Sequence, residues 1–168
     1  MAVFREWDLT MRRALAAERD AGRRIVFTNG CFDLLHAGHV DLLKRAKELG
    51  DVLVVGLNSD SSVRELKGPG RPFMDEEDRA LILDALEAVD YVVLFSEPTP
   101  KELVDAVRPD VLVKGEDYLD KVIVGSERVR ADGGEVVTVP LLPDRSSTAL
   151  VQRVRECPDA PDEDGTGT

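Results

Sequence analysis

Two different patterns of apolar and polar positions alternate along the chain. Between short apolar runs, apolar residues recur every three or four positions, as they do in amphipathic helices. The runs themselves predict buried strands at RIVFT (24–28), VLVVGLN (52–58), YVVLF (91–95), VLVK (111–114) and EVVTV (135–139). The intervening periodicity predicts helices at 8–21, 38–49, 75–89, 126–131 and 147–155, a short helix capped by Ser59 or Asp60, and one from an N-cap at Thr99 to Val107.

Strands that alternate with helices predict an α/β fold. We expect a Rossmann-like, doubly wound, five-stranded parallel sheet with helices on both faces. In such sheets ligands bind beyond the carboxyl ends of the strands, near the switch in strand order. Polar loops follow the predicted strands at 29–38, 58–60, 114–118 and 143–148. The site is expected where these loops converge.

Composition adds a domain estimate and excludes some partners. Residues 1–156, including the helix at 8–21, are sized for a single domain, and the acidic segment 157–168 predicts a disordered tail. The net charge of −11 argues against unspecific nucleic-acid binding. No apolar run approaches the roughly 20 residues of a membrane helix, and the N-terminus lacks a signal-peptide core. We therefore expect a cytoplasmic protein without membrane partners, either monomeric or homodimeric.

The two histidines of the chain, His36 and His39, lie together where the first long predicted strand passes into a helix. Gly38 between them lets a ligand approach the backbone, and a helix N-terminus favours anions. Zinc usually takes three or four protein ligands, yet the chain has no other histidine and no paired cysteines. A catalytic dyad would have only Cys31 as a nearby nucleophile. Phosphate contact is favoured over a metal site, a dyad or a structural pair.

The stretch TNGCFDLLHAGHVDLLKRAKELGD (28–51) resembles the HxGH signature of the cytidylyltransferase-like nucleotidyltransferases. The later segments VGLNSD, LKG, RPF and EDRALIL make this resemblance specific. Within that superfamily, LKGPGRPFMDEEDRALILDALEAVDYVVLF and PDVLVKGEDY are similar to heptose 1-phosphate adenylyltransferases, and the similarity spans Thr10 to Arg155. It implies transfer of AMP from ATP to heptose 1-phosphate, which gives ADP-heptose and pyrophosphate, with Mg²⁺ as the companion of ATP and no metal ligands from the protein.

The resemblance also implies residue roles. His36, His39 and Lys67 would be catalytic: the histidines would hold the ATP phosphates and Lys67 would reach the transferring phosphate. Nucleotide contacts are expected from Asn29, Gly30, Cys31, Phe32, Asp33, Gly38, Asp60, Arg79, Lys114, Gly115, Ser147 and Thr148. Substrate contacts are expected from Arg71, Glu116, Asp117 and Tyr118. Residues 67–73, rich in glycine and proline, predict a lid over bound phosphates.

Structural roles and other functions stand beside these expectations. Arg79 could pair with an acid one turn away, Asp33 could cap a turn and Ser147 could cap a helix. The functional alternatives are a cytidylyltransferase for glycerol 3-phosphate or a related polyol phosphate, and a nucleotide-binding regulatory module without turnover. Cytidylyltransferases carry R-T-E-G where this chain has LLPDRSST (141–148), which counts against cytidylyl transfer and leaves the role of Arg145 open.

Overall fold

The computed structural model describes residues 3–4, 7–116, 122–143 and 146–157. Within these ranges the strands are β1 (Val3–Phe4), β2 (Ile25–Gly30), β3 (Val52–Asn58), β4 (Tyr91–Phe95), β5 (Val111–Gly115) and β6 (Glu135–Val139). The helices are α1 (Leu9–Asp20), α2 (Ala37–Lys47), α3 (Asp60–Lys67), α4 (Glu76–Asp84), α5 (Lys101–Val107), α6 (Ser126–Ala131) and α7 (Ser147–Glu156). No helix of the described residues has the length and apolar character that crossing a membrane requires.

All strands pair in parallel in one sheet, in the order β1-β4-β3-β2-β5-β6. The strand order reverses between β2 and β5, which are neighbours although two strands separate them in sequence. Phe27 pairs with Leu112 there, so the carboxyl ends of β2 and β5 lie side by side. This is the switch point at which α/β sheets bind ligands.

Each face of the sheet buries its own apolar cluster, which confirms the predicted helix layers on both faces. Leu43 of α2 and Leu83 of α4 pack with alternate strand residues such as Val55 on one face. Met11 of α1 and Val104 of α5 pack with Phe27 and its neighbours on the other. The strands are apolar at nearly every position because both of their faces are covered.

The predicted number of strands was wrong, because the sheet has six. The additional strand, β1, has only two residues, and Val3 pairs with Val92 at the edge of the sheet. Two half-buried residues form no apolar run, so the sequence pattern gave no signal of this strand.

Several helix boundaries also differ from prediction, among them the end of α2, which is at Lys47 rather than Leu49. α4 ends at Asp84 rather than Val89, because tighter turns follow it, with the Leu86 amide donating to the Leu83 carbonyl, and these bring Val89 into the core. Pro100 rather than Thr99 is the N-cap of α5, and no side chain caps that helix. Ser146 rather than Ser147 caps α7, since its hydroxyl accepts from the Ala149 amide at 3.1 Å. Of the predicted tail 157–168, Cys157 is the exposed C-cap of α7, and residues 158–168 lie outside the described residues, so the tail stays a prediction.

Candidate active site

A cleft of about 530 Å³ lies at the carboxyl ends of β2, β3 and β5. All four of the polar loops that follow predicted strands contribute to it. Its lining comprises residues 28–33, His36, Gly38, His39, Leu42, Asn58, Leu66, Lys67, 98–100, Lys114, Gly115, Val122, Val124, Leu141 and 146–148. The cleft therefore coincides with the switch point of the sheet.

The two histidines occupy the first turn of α2. His36 is the N-cap, and its Nδ1 accepts a hydrogen bond from the Gly38 amide at 3.1 Å. In the neutral ring the proton must then be on Nε2, which is left as a donor. The rings of His36 and His39 stack with centroids 3.8 Å apart, and Phe32 lies 5.1 Å from His39 on a tilted plane. The pair is a preorganised surface with neutral donors at a helix N-terminus.

Both histidines are held in the neutral state by their surroundings. Burial lowers the pKa of His36. Burial, followed by the nearby His36 and Lys67, lowers the pKa of His39 to about 4, while the Leu34 backbone opposes this shift. The Nδ1 atom of His39 is buried and has no hydrogen-bond partner of normal geometry among the described residues. A negative charge placed beside the pair, such as a phosphate, would favour protonation.

Two lysines face this surface from neighbouring elements. Lys67 ends α3 and is exposed, and its charge acts on both Cys31 and His39. Lys114 is buried at the end of β5, and its Nζ donates to Oδ1 of Asn29 at the end of β2. The lysines give the cleft a positive floor and rim, although the whole chain has a net charge of −11. Such a cleft suits a polyphosphate.

Cys31 is a poor candidate for a nucleophile. Burial raises the pKa of its thiol above the ordinary value, and this outweighs the opposing charges of Lys67 and Arg79. A thiol rather than a thiolate is present at neutral pH, and the thiol form is the unreactive one.

Asp33 is buried beneath the cleft, and other residues of the protein donate hydrogen bonds to its carboxylate. It accepts from Nη1 of Arg71 at 2.7 Å, from the Phe73 amide at 2.6 Å and from the Met74 amide at 3.3 Å. Burial works to raise the pKa of this carboxyl, but the hydrogen bonds from Arg71 and the two amides outweigh it, and the pKa lies below its ordinary value. Asp33 is thus an ionised carboxylate whose partners belong to the protein.

Arg79 is buried and joins four segments. Its Nε donates to the Met74 carbonyl at 3.0 Å, and its Nη1 donates to the carbonyls of Cys31 at 2.6 Å and Asn58 at 2.8 Å. Its Nη2 donates to Oδ1 of Asp60 at 2.7 Å. The guanidinium does not line the cleft.

A second cleft, of about 690 Å³, lies at the opposite edge of the sheet. Arginines line it, but carboxylates or carbonyls already hold several of them: Arg24 pairs with Glu135, Arg108 pairs with Asp132, and Arg19 donates to the Val107 carbonyl. The histidines and both cleft lysines lie at the other edge. Although it is the larger of the two, this cleft does not combine the groups that phosphate chemistry needs.

The sequence model of the cytidylyltransferase-like family matches residues 27–153, which is most of the chain and includes every residue that lines the histidine cleft. The chain belongs to this family. A crystal structure of a lipopolysaccharide core biosynthesis protein from Thermoplasma volcanium is 32% identical, with a TM-score of 0.59, and the match covers 72% of this chain and 98% of that one. A pantoate-beta-alanine ligase from Francisella tularensis, 17% identical with a TM-score of 0.60 over 88% of this chain and 69% of that chain, shares the fold.

Two curated relatives extend the family comparison. Bifunctional protein HldE from Syntrophotalea carbinolica is 53% identical over 145 residues, which cover 86% of this chain and 30% of that protein. Bifunctional protein HldE from Wolinella succinogenes is 58% identical over 137 residues, which cover 82% of this chain and 28% of that protein. The chain therefore spans less than a third of the length of these relatives. Together with the family match, they indicate that this domain is a nucleotidyltransferase.

The cleft contains most of the residues for which family resemblance implied a role. Those that line it are Asn29, Gly30, Cys31, Phe32, Asp33, His36, Gly38, His39, Lys67, Lys114, Gly115, Ser147 and Thr148. Asp60, Arg71, Arg79 and Glu116 do not line it in the described structure, and Glu116 is exposed. Asp117, Tyr118, Asp144 and Arg145 lie outside the described residues. A direct phosphate contact by Arg79 stays a prediction that would require its hydrogen bonds to rearrange.

Sequence reasoning missed several residues of the cleft. Asn58, Thr99 and Ser146 add polar groups, and Leu66, Val122, Val124 and Leu141 add an apolar part. Asn58 and Ser146 lie within predicted loops and could have been included. Thr99 was predicted to be a helix cap, but it lines the cleft instead because α5 begins one residue later than expected.

The described residues do not provide a binding site for a resident metal ion, because no three histidine, cysteine or carboxylate groups among them converge. Asp33, the carboxylate in the cleft lining, is already occupied by Arg71 and two amides.

Proposed function

We propose that the chain transfers AMP from ATP to a heptose 1-phosphate, which gives ADP-heptose and pyrophosphate. The observation that carries nucleotidyl transfer is the stacked histidine pair at the N-terminus of α2, opposite Lys67 and beside Lys114. Family membership supports the reaction class. The choice of heptose is supported by the resemblance of residues 66–95 and 109–118 to heptose 1-phosphate adenylyltransferases, and by a related lipopolysaccharide core biosynthesis protein.

The proposed reaction is an in-line displacement. A phosphate oxygen of the sugar phosphate attacks the α-phosphorus of ATP, the bond from that phosphorus to the bridging oxygen breaks, and pyrophosphate leaves. The nucleophile is already anionic, so the reaction needs no strong general base. Its catalysis is positioning plus stabilisation of charge that develops on the α-phosphate.

The residues of the cleft divide this task. Nε2–H of His36 is a neutral donor that can meet a phosphate oxygen at the N-terminus of α2, where the helix dipole favours an anion. His39 stacks beneath His36 and limits its rotation. Lys67 supplies a positive charge from the rim and Lys114 supplies another from the floor, where Asn29 orients it. Mg²⁺, when bound with ATP, would neutralise part of the triphosphate charge.

Acceptor selection is proposed to depend on polar groups that pair with sugar hydroxyls. A site built this way rejects a smaller acceptor strongly, since its own polar groups would remain buried without partners. Thr99, which lines the cleft, is one candidate, and the exposed Glu116 would have to turn inward to contribute. A cytoplasmic location and a homodimeric assembly remain predictions.

The decisive experiment compares kcat/KM for ATP and CTP, each with D-glycero-β-D-manno-heptose 1-phosphate and with glycerol 3-phosphate. We expect ATP with the heptose phosphate to be preferred by several orders of magnitude. A higher kcat/KM for CTP with glycerol 3-phosphate would contradict the proposed substrates but not the proposed mechanism. Binding of ATP without pyrophosphate release for any phosphorylated sugar or alditol would indicate the regulatory module instead.

A further inference from the structure

The segment that follows Lys67 is tied to the histidine loop by a buried carboxylate. This segment, residues 68–74, connects α3 to α4, and we name it the latch segment. The Asp33 side chain has no solvent exposure, and all three hydrogen bonds found for it come from the latch segment: the Arg71 guanidinium and the amides of Phe73 and Met74. An ionised carboxylate in such a place makes charge-assisted hydrogen bonds, which are stronger than neutral ones.

Other contacts hold the same end of the segment. Arg79 donates to the carbonyls of Met74 and Cys31, and so joins the latch segment to the histidine loop a second time. The Arg71 guanidinium also lies over the Phe73 ring, 4.1 Å from its centroid. The far end, next to Lys67, is different. Gly68 and Gly70 both have φ near +89°, and a Cβ at either position would meet nothing within 4 Å, so backbone conformation rather than lack of space calls for glycine there.

We propose that Asp33 and Arg71 form a latch that fixes the position of Lys67 relative to the histidine pair. Asp33 is thereby a positioning residue and not a ligand of phosphate or metal, and Arg71 acts through Lys67 rather than on the substrate. The proposal rests on the proposed function, in which Lys67 contacts the transferring phosphate. Two glycine pivots would otherwise let the lysine, exposed at the end of its helix, move away from the cleft.

The first test separates action through Lys67 from direct contact with substrate. Arg71→Ala, Lys67→Ala and the double variant are compared by kcat/KM for nucleotidyl transfer. Arg71→Ala should lower kcat/KM by roughly 10- to 100-fold, as a misplacement of about 1 Å does. The double variant should then be no slower than Lys67→Ala alone. Losses that multiply, or full activity in Arg71→Ala, would overturn the latch.

Arg71 is the better residue for this test, because its side chain is 18% exposed and its removal threatens folding less than removal of buried Asp33. Arg45→Ala is the matched control. It breaks an exposed pair of similar length, Arg45 with Asp41 at 2.8 Å, on the solvent side of α2. The control should keep wild-type kcat/KM.

The second test does not depend on activity. Trypsin cleavage of the bond between Lys67 and Gly68 is followed by mass spectrometry in the free protein. Arg71 precedes Pro72 and is not a tryptic site, so Arg71→Ala removes no competing cleavage. We expect faster cleavage at Lys67 in Arg71→Ala and in Asp33→Asn, and an unchanged rate in Arg45→Ala. Equal rates in all proteins would overturn the latch. If the wild type transferred no nucleotide, the proposed function would fail. The cleavage rates would still test whether Asp33 and Arg71 hold the latch segment in place.

Discussion

The imidazole rings of His36 and His39 lie face to face, with centroids 3.8 Å apart and planes inclined by 23°. Burial, with the nearby His36 ring as a further cause, lowers the pKa of His39 to about 4. The pair therefore meets ATP as neutral donors. A phosphate that draws a proton onto either ring would strengthen its own binding as negative charge builds up during transfer.

The first prediction is that each histidine is needed for turnover. His36→Ala removes the Nε2 donor, and His39→Ala removes the ring that holds it in place. Each should lower kcat by roughly 10²-fold or more, as loss of one oxyanion donor does, with a smaller effect on the affinity for ATP. Steady-state kinetics and ATP titration measure the two effects. Unchanged turnover in either variant would contradict the phosphate role.

The second prediction concerns stability at low pH. The pKa of His39 is about 4 in the folded protein and near 6.5 in the unfolded chain, so the unfolded state binds the proton first. The stabilisation is fully present above pH 6.5 and is lost as the pH falls through 4. The free energy of unfolding should decrease by up to about 3 kcal/mol over this window from His39 alone.

His39→Gln isolates this effect, because glutamine does not titrate. Urea denaturation of both proteins at pH 7, 6, 5 and 4 should show a shallower decline in the variant. Parallel declines would mean that the low pKa of His39 does not govern acid stability, since carboxyl groups common to both proteins cancel in the comparison.

The location of the site was predictable from sequence for a physical reason. A parallel sheet places the carboxyl ends of its strands at one edge, so polar loops that follow apolar runs must converge there. His36, Lys67 and Lys114 come from three separate regions of the chain and still share one cleft. Strands with both faces buried have an unmistakable apolar pattern, and β3 and β4 were predicted with the bounds that they have.

The inward-facing polar residues were not predictable in the same way. Arg79 and Asp33 have the residue types of ligand-binding groups. Apart from Met74, however, the partners of Arg79 lie 19 to 48 residues away in sequence, and those of Asp33 lie 38 to 41 residues away. Only the fold reveals that these charges are already used. Periodicity also did not indicate that Thr99 lines the cleft rather than capping α5. That helix begins one residue later than predicted.

The third prediction addresses Lys67, which is exposed and ends a helix. Lys67→Ala should depress kcat/KM strongly, because the positive charge that contacts the transferring phosphate is removed. The melting temperature should stay nearly constant. Lys44→Ala, an exposed lysine in the last turn of α2, is the control and should affect neither. A fall in melting temperature that matched the loss of activity would indicate a structural lysine.

Closure of the predicted lid can be examined with the wild type. ATP with Mg²⁺ should protect the bond after Lys67 from trypsin beyond the protection that the free protein already has. Equal cleavage with and without nucleotide would show that residues 67–73 do not close over the phosphates.

The fourth prediction distinguishes a structural Arg79 from a phosphate ligand. Arg79→Ala would leave Asp60 without its cation and the buried carbonyls of Cys31 and Asn58 without donors. Loss of one partner of such a buried network costs about 3–5 kcal/mol, so urea denaturation should show a large loss in the free energy of unfolding. Arg128→Ala, which breaks an exposed pair with Asp132 at 3.0 Å, should change the free energy of unfolding very little. If Arg79→Ala instead kept its stability and lost affinity for ATP, Arg79 would have to leave its present partners and reach the phosphates in the bound enzyme.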